Sequence, residues 1–191
     1  MIVELTYPFN ESQIKTLHAG DKVQLSGRVY TGRDRLHKFL AGGGAAPVNL
    51  RDAAIYHCGP VVVREPQGWR IQSAGPTTSI REEPYMAKVI RDYGIRVIIG
   101  KGGMGAATLA ACESCGCVYL QAPGGAAALL AGNIRSVDNV YLLNEFGPAE
   151  AMWELDVEKM DLVVAMDSYG VDLYAEIQRA SARRLTACLS V

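Results

Sequence analysis

Residues 75–81, Gly-Pro-Thr-Thr-Ser-Ile-Arg, put three consecutive hydroxyls and an arginine into one turn, and Lys101 follows inside Gly100-Lys101-Gly102-Gly103. Turns without bulky side chains let a ligand approach the backbone, where successive N–H groups can face one anion. Arginine adds a planar fork suited to a carboxylate or phosphate, and lysine a compact point charge. Together these groups have the chemistry of a site for a small dianion. The glycine-rich stretch at 100–105 is neither a phosphate-binding P-loop, since no hydroxyl residue follows Lys101, nor a dinucleotide fingerprint, whose glycine spacing it lacks.

Each of these residues also has a plainer reading. Lys101 can be a solvated lysine on a sharp strand-to-helix turn, Ser79 a cap for the helix that follows, and Arg81 a surface ion-pair partner of the nearby acids. Cys112, Cys115 and Cys117 have a spacing that can ligate zinc or an iron–sulfur cluster, but no second Cys or His pair lies nearby, so buried small hydrophobes are the preferred reading. His57, on a buried-looking strand, reads as a hydrogen-bonded core histidine, and His37 as a solvated or structural one.

The composition narrows the class. The chain has 191 residues, 49% hydrophobic and 20% charged, as in a soluble protein of one domain spanning 1–191. Lysine and arginine number 19 against 20 acidic residues, a net charge of -1, which excludes a nucleic-acid groove. No apolar run approaches a membrane span, and the five cysteines form an odd set without a secretory context, so a cytoplasmic chain without disulfides is expected.

The elements that must position the candidate residues follow from periodicity. Asn10, three residues before Gln13, starts a short helix, and residues 21–30 alternate as a strand running into the Thr31-Gly32 turn. A helix is expected over 33–40, strands over 54–58 and 61–63, and a helix over 82–93 closed by Gly94, with Glu82 and Glu83 at its positive N-terminal end. A strand at 95–99, a helix at 106–113, a strand at 117–121, a small-residue helix to Leu130, strands at 140–143 and 162–166 and a last helix from about 172 complete the pattern. Alternation of strand and helix argues for α/β layering around a mostly parallel sheet, with a second sheet layer in the β-rich N-terminal half.

With these motifs in order, the chain resembles the β subunit, equivalently the C-terminal domain, of class I iron–sulfur fumarases and L-tartrate dehydratases. The resemblance rests on Gly20-Asp21, Leu25-Ser26-Gly27, Thr31-Gly32-Arg33-Asp34 with His37, Gly59-Pro60, the 75–81 turn, Ile99 to Met104, Gly124 to Ala128, and Glu145-Phe146-Gly147 with Glu150-Ala151-Met152-Trp153. It implies a swivelling β/β/α domain and reversible hydration of an unsaturated C4 dicarboxylate, fumarate to L-malate, as in the tricarboxylic acid cycle. It also implies an α subunit that carries a [4Fe–4S] cluster, none of it ligated by this chain, in a pair of heterodimers. Carried over residue by residue, Arg33, Arg81 and Lys101 bind the substrate carboxylates, with Gly102 beside them, and Thr77 is the candidate for proton transfer at carbon. A threonine hydroxyl is a poor base at neutral pH and needs adjacent cations or a relay. Departures from the family pattern fall at Arg35-Leu36, the shortened 42–46 stretch, Glu82-Glu83 where Met-Asp is common, and Pro148. An L-tartrate dehydratase subunit, a non-catalytic anion-binding module and a zinc-dependent interaction protein are the alternatives.

Overall fold

Val23, Leu25 and Val29 line one fully buried face of β2 (Lys22–Thr31), the spine of the molecule. The structure, a computed structural model, describes residues 2–189. β2 pairs in parallel with β1 (Ile2–Thr6) along its first half and with β3 (Ala54–Tyr56) along its second. The parallel run continues from β3 to β6 (Val97–Gly100) and on to β7 (Val118–Gln121). These strands read as near-continuous apolar runs because helices or other strands cover both their faces.

The sheet is mixed: the α/β layering and the parallel run are as expected, and the antiparallel pairings within it all belong to one strand. β9 (Met152–Met166) is antiparallel to β2, to β7 and to β8 (Ile134–Tyr141), completing a 7-stranded sheet. Because β9 borders β2 on one side and β7 on the other, the strands β2, β3, β6, β7 and β9 close into a ring. Val163 shows the closure directly, pairing with Lys22 and with Gln121. A separate hairpin, β4 (Val61–Glu65) with β5 (Gly68–Ser73), makes the second sheet layer, and its Trp69 packs edge-on against Trp153 at 5.3 Å between ring centroids.

Alternation along the strands sorts the core into two compartments. Ala54, Tyr56, Val97, Ile99, Val118 and Leu120 point into the ring, where they meet Leu25, Val29, Leu155 and Val164. Ile55, Ile98 and Tyr119 point the other way, against Leu36 and Leu40 of α2 (Asp34–Ala41) and Met86, Val89 and Ile90 of α3 (Glu83–Tyr93). α4 (Ala106–Cys115) completes this helical layer, and α7 (Leu173–Leu189) follows β9. The remaining helices are α1 (Glu11–Ile14), α5 (Ala127–Ala131) and α6 (Leu143–Phe146). α1 carries the expected capping box, with reciprocal bonds between Asn10 and Gln13.

Candidate active site

β3 and β6 run side by side and end on the same edge, and the chain beyond each continues into the candidate residues. In open α/β sheets this carboxyl edge is where ligands gather. The 75–78 turn is laid across it: Pro76 bridges to Cys58, Thr78 bridges to Lys101, and the Thr77 N–H donates to the His57 carbonyl at 2.6 Å. A single 3₁₀ turn, Ser79–Glu82, then feeds α3.

Ser79 is the pin. Its N–H donates to the Lys101 carbonyl (2.9 Å), while its Oγ accepts from the Lys101 N–H (3.2 Å) and from the Tyr119 hydroxyl (3.1 Å). Having accepted twice, Ser79 Oγ directs its own hydrogen to His57 Nδ1, 2.9 Å away. Ser79, His57 and Tyr119 are all fully buried. Gly100 permits the approach, because a Cβ there would lie 1.8 Å from Ser79 Oγ. Burial holds His57 well below the usual histidine range, and the edge-on His37 ring, 4.9 Å away, is pushed down to about 4 by its own burial. Both rings are neutral at pH 7, and His37 Nδ1 donates to the Arg33 carbonyl at 2.9 Å.

Above this floor lies a charged rim. Lys101 Nζ donates to Thr78 Oγ1 at 2.9 Å. Arg33 caps α2, and its side chain lies over Gly59, where a Cβ would come within 2.8 Å of its Nη1; its Nε is 3.6 Å from Glu150 Oε1. Arg81, half exposed, pairs with Asp34. Asp34 in turn adjoins Glu82, and that neighbour, ahead of Arg81, is the main cause that holds the Asp34 carboxyl below its ordinary range. Among the described residues the Thr77 hydroxyl has no protein partner and faces none of these carboxylates in a hydrogen bond.

Comparison with known proteins decides the family. Over residues 1–177 the chain matches the family described as Fumarase C-terminus. The chain belongs to that family. It is 48% identical over 186 residues to a Geobacillus stearothermophilus protein named "Putative fumarate hydratase class I", covering 97% of this chain but 36% of that relative. It is 40% identical over 195 residues to the "Putative L(+)-tartrate dehydratase subunit beta" of Methanocaldococcus jannaschii, covering 98% of this chain and all of the relative. The L(+)-tartrate dehydratase subunit beta of Escherichia coli K12 is 32% identical over 182 residues, covering 94% and 90%. The chain thus spans about a third of the first relative's length and nearly the whole of the other two.

In this Fumarase C-terminus chain, Thr77 and Arg81 share one turn, Lys101 is bridged to that turn through Thr78, and Asp34, next to Arg33 in sequence, pairs with Arg81. Gly102, next in line, is exposed, with φ at 81°. The surface ion-pair reading of Arg81 is also met, since Asp34 neutralises it. Two expectations are corrected. Glu82 does not sit at an open helix end but is fully buried, both carboxyl oxygens without a donor. Glu83 serves α4 instead of α3: it accepts from the N–H groups of Gly105 (2.8 Å), Ala107 (3.0 Å) and Thr108 (3.2 Å) and from the Thr108 hydroxyl (2.6 Å). That helix N-terminus is therefore filled by a side chain and is not the anion site. In the sequence Asp34 and Glu150 figure only as family-motif residues, without a role in the site, and Tyr119 is not singled out at all. Among the described residues no cluster of three His, Cys, Asp or Glu side chains is placed to hold a metal, and Cys112 and Cys117 are buried. No helix among them is long and apolar enough to cross a membrane.

Proposed function

We propose that the chain is the β subunit of a hydro-lyase that reversibly hydrates fumarate to L-malate, completed by an α subunit. The observation that carries this reading is the free Thr77 hydroxyl set in the same turn as Arg81 and beside the Lys101 to Thr78 contact. Arg33, Arg81 and Lys101 take the substrate carboxylates in place of Glu150, Asp34 and Thr78, with Gly102 leaving room for the approach. Charge accumulates on a carboxylate as the adjacent C–H bond breaks, and fixed cations there stabilise the transition state more than the ground state. Thr77 moves the proton at carbon, from the turn whose next residue, Thr78, holds the Lys101 ammonium.

The described residues do not fit an iron–sulfur cluster, so in this proposal the [4Fe–4S] group belongs to the α subunit and no step of this chain runs through it. Partner docking is supported by apolar exposure next to the turn: Ile80 is 49% exposed, and Leu129 is 74% exposed on α5, whose Ala127 packs on Gly75. We further propose that residues 1–191 form one domain of the swivelling β/β/α kind and that the enzyme is a cytoplasmic pair of heterodimers serving the tricarboxylic acid cycle. Anaerobic co-purification with an α-subunit-type chain should yield fumarate hydration that neither chain shows alone. Full activity of this chain by itself would refute the proposal. L-tartrate dehydration is the second reading, favoured by the names of two relatives, and kcat/KM on malate against tartrate separates the two.

A further inference from the structure

Two carboxylates meet where only acceptors are in reach. Glu82 has no exposed side-chain surface, neither of its oxygens has an N–H or O–H donor, and the buried Asp34 Oδ1 lacks one too. The nearest candidate donor, His37 Nδ1, stands 3.6 Å from Glu82 Oε2 and is already committed to the Arg33 carbonyl. Asp34 Oδ2 faces Arg81. Two acceptor-only groups in contact are compatible only if one of them carries a proton. Asp34 has the guanidinium, so the proton belongs on Glu82.

We propose that Glu82 is a positioning residue: a neutral carboxylic acid that donates its proton to Asp34 Oδ1 and so holds the Asp34 carboxylate against Arg81. The groups facing it are Asp34 and His37 from α2, Arg81 from its own turn and Glu150 from the segment before β9. Burial is the largest influence on its acidity, followed by Asp34 and Glu150, and Arg81 opposes them; the carboxyl is raised to about 9. The charge count gives the proton a purpose. With Glu82 neutral, Arg33, Arg81 and Lys101 face Asp34 and Glu150, leaving an excess of positive charge for an incoming dianion. Ionised, Glu82 would cancel that excess.

This inference rests on the proposed dicarboxylate site for its consequence but not for its first test. Carbon-13 NMR of the full chain, with the Glu82 signal identified by its loss in Glu82→Gln, should show a protonated carboxyl at pH 7 that titrates near 9. A signal titrating in the ordinary carboxylate range overturns the proposal whatever the enzyme does. Sign matters for stability: a carboxyl raised from 4.5 to about 9 loses stability as pH rises through that window, so Glu82→Gln should melt higher than wild type at pH 8. A lower melting temperature counts against it.

In the reconstituted complex, KM for malate should rise toward pH 9 in wild type and lose that rise in Glu82→Gln. Glu82→Met fills the volume without a donor and should raise KM several-fold over Glu82→Gln while kcat changes little. Equal KM values for the two variants would show that the donor orients nothing. If wild-type complex hydrates no dicarboxylate, the functional reading fails while the NMR result still decides the state of Glu82.

Discussion

The floor and the rim of the site are built on opposite principles. In the floor, Ser79, His57 and Tyr119 are neutral, buried and tied together through Ser79 Oγ, with His57 Nε2 left without a partner; in the rim, Arg33, Arg81 and Lys101 are charged, partly exposed and held by groups that a ligand can replace. A buried neutral network centred on one serine oxygen has no solvent to exchange partners with, so it can fix a backbone, whereas half-solvated ion pairs exchange partners at little cost. Position is thus supplied below and affinity above by side chains of the same few residues: Thr78 and Arg81 make rim contacts, while Ser79 and Glu82 are buried beneath.

The sharpest break of this division is Gly100→Ala. Its Cβ would lie 1.8 Å from Ser79 Oγ and 3.2 Å from Ser79 Cβ, and turning the serine away would break its bonds to His57, Lys101 and Tyr119. Denaturant unfolding should show a loss of about 3 kcal/mol, the upper end for overpacking a core, together with loss of activity. Rim changes should do the reverse. Arg81→Ala and Lys101→Ala should leave unfolding nearly unchanged yet cost about 2–4 kcal/mol in kcat/KM of the reconstituted enzyme. Thr77→Ala should lower kcat by about a hundredfold with KM little altered, if its hydroxyl moves the proton.

Ser79→Ala strands two donors and should cost roughly 1–3 kcal/mol of stability. Acid offers a subtler probe of the floor. His37 and His57 are neutral when folded and bind protons when unfolded, so their contribution is complete above 6.5 and is lost as pH falls toward about 4, where His37 itself charges. A melting-temperature profile should therefore fall on the acid side of 6.5, and a flat profile there would mean that the rings are already solvated. The smallest effect belongs to Lys38→Ala, an exposed position on α2, which should change neither kcat/KM nor stability measurably. Impairment in this variant with normal Arg81 and Lys101 variants would place the rim on the wrong residues.

The rim was legible because its chemistry is written in a contiguous stretch of glycines, hydroxyls and cations. The floor was not. Ser79 has the sequence context of a helix cap, and nothing local reveals that a tyrosine forty residues later shares its oxygen. Glu82 and Glu83 looked alike beside a helix start, yet one turns inward to Asp34 and the other reaches α4, a choice made by tertiary packing. In the fold, the helices α2, α3 and α4 were readable from their apolar spacing, and β3, β6 and β7 from short apolar runs. β1 and β5 were missed, β8 was recognised only at its end, and β9 was seen only over 162–166. For β9 the reason is specific: its residues in the ring-side core are Trp153, Leu155 and Val157, then Met160, Leu162 and Val164, so the two-residue period slips by one at Glu158-Lys159. The structure has a bulge there, with Lys159 at φ 49° and the pairing with β2 out of step.

The same strand dictates an order of events during synthesis. β9 is the last strand of the chain, and β2, β7 and β8 each lack a neighbour until it arrives. A nascent chain that has released residues 2–141 from the ribosome carries every strand except the one that shuts the ring, with the edges of β2 and β7 open to foreign pairing. The floor residues 57, 79 and 119 have all emerged by then, but the barrel beneath them stays open until residue 166 is clear of the exit tunnel.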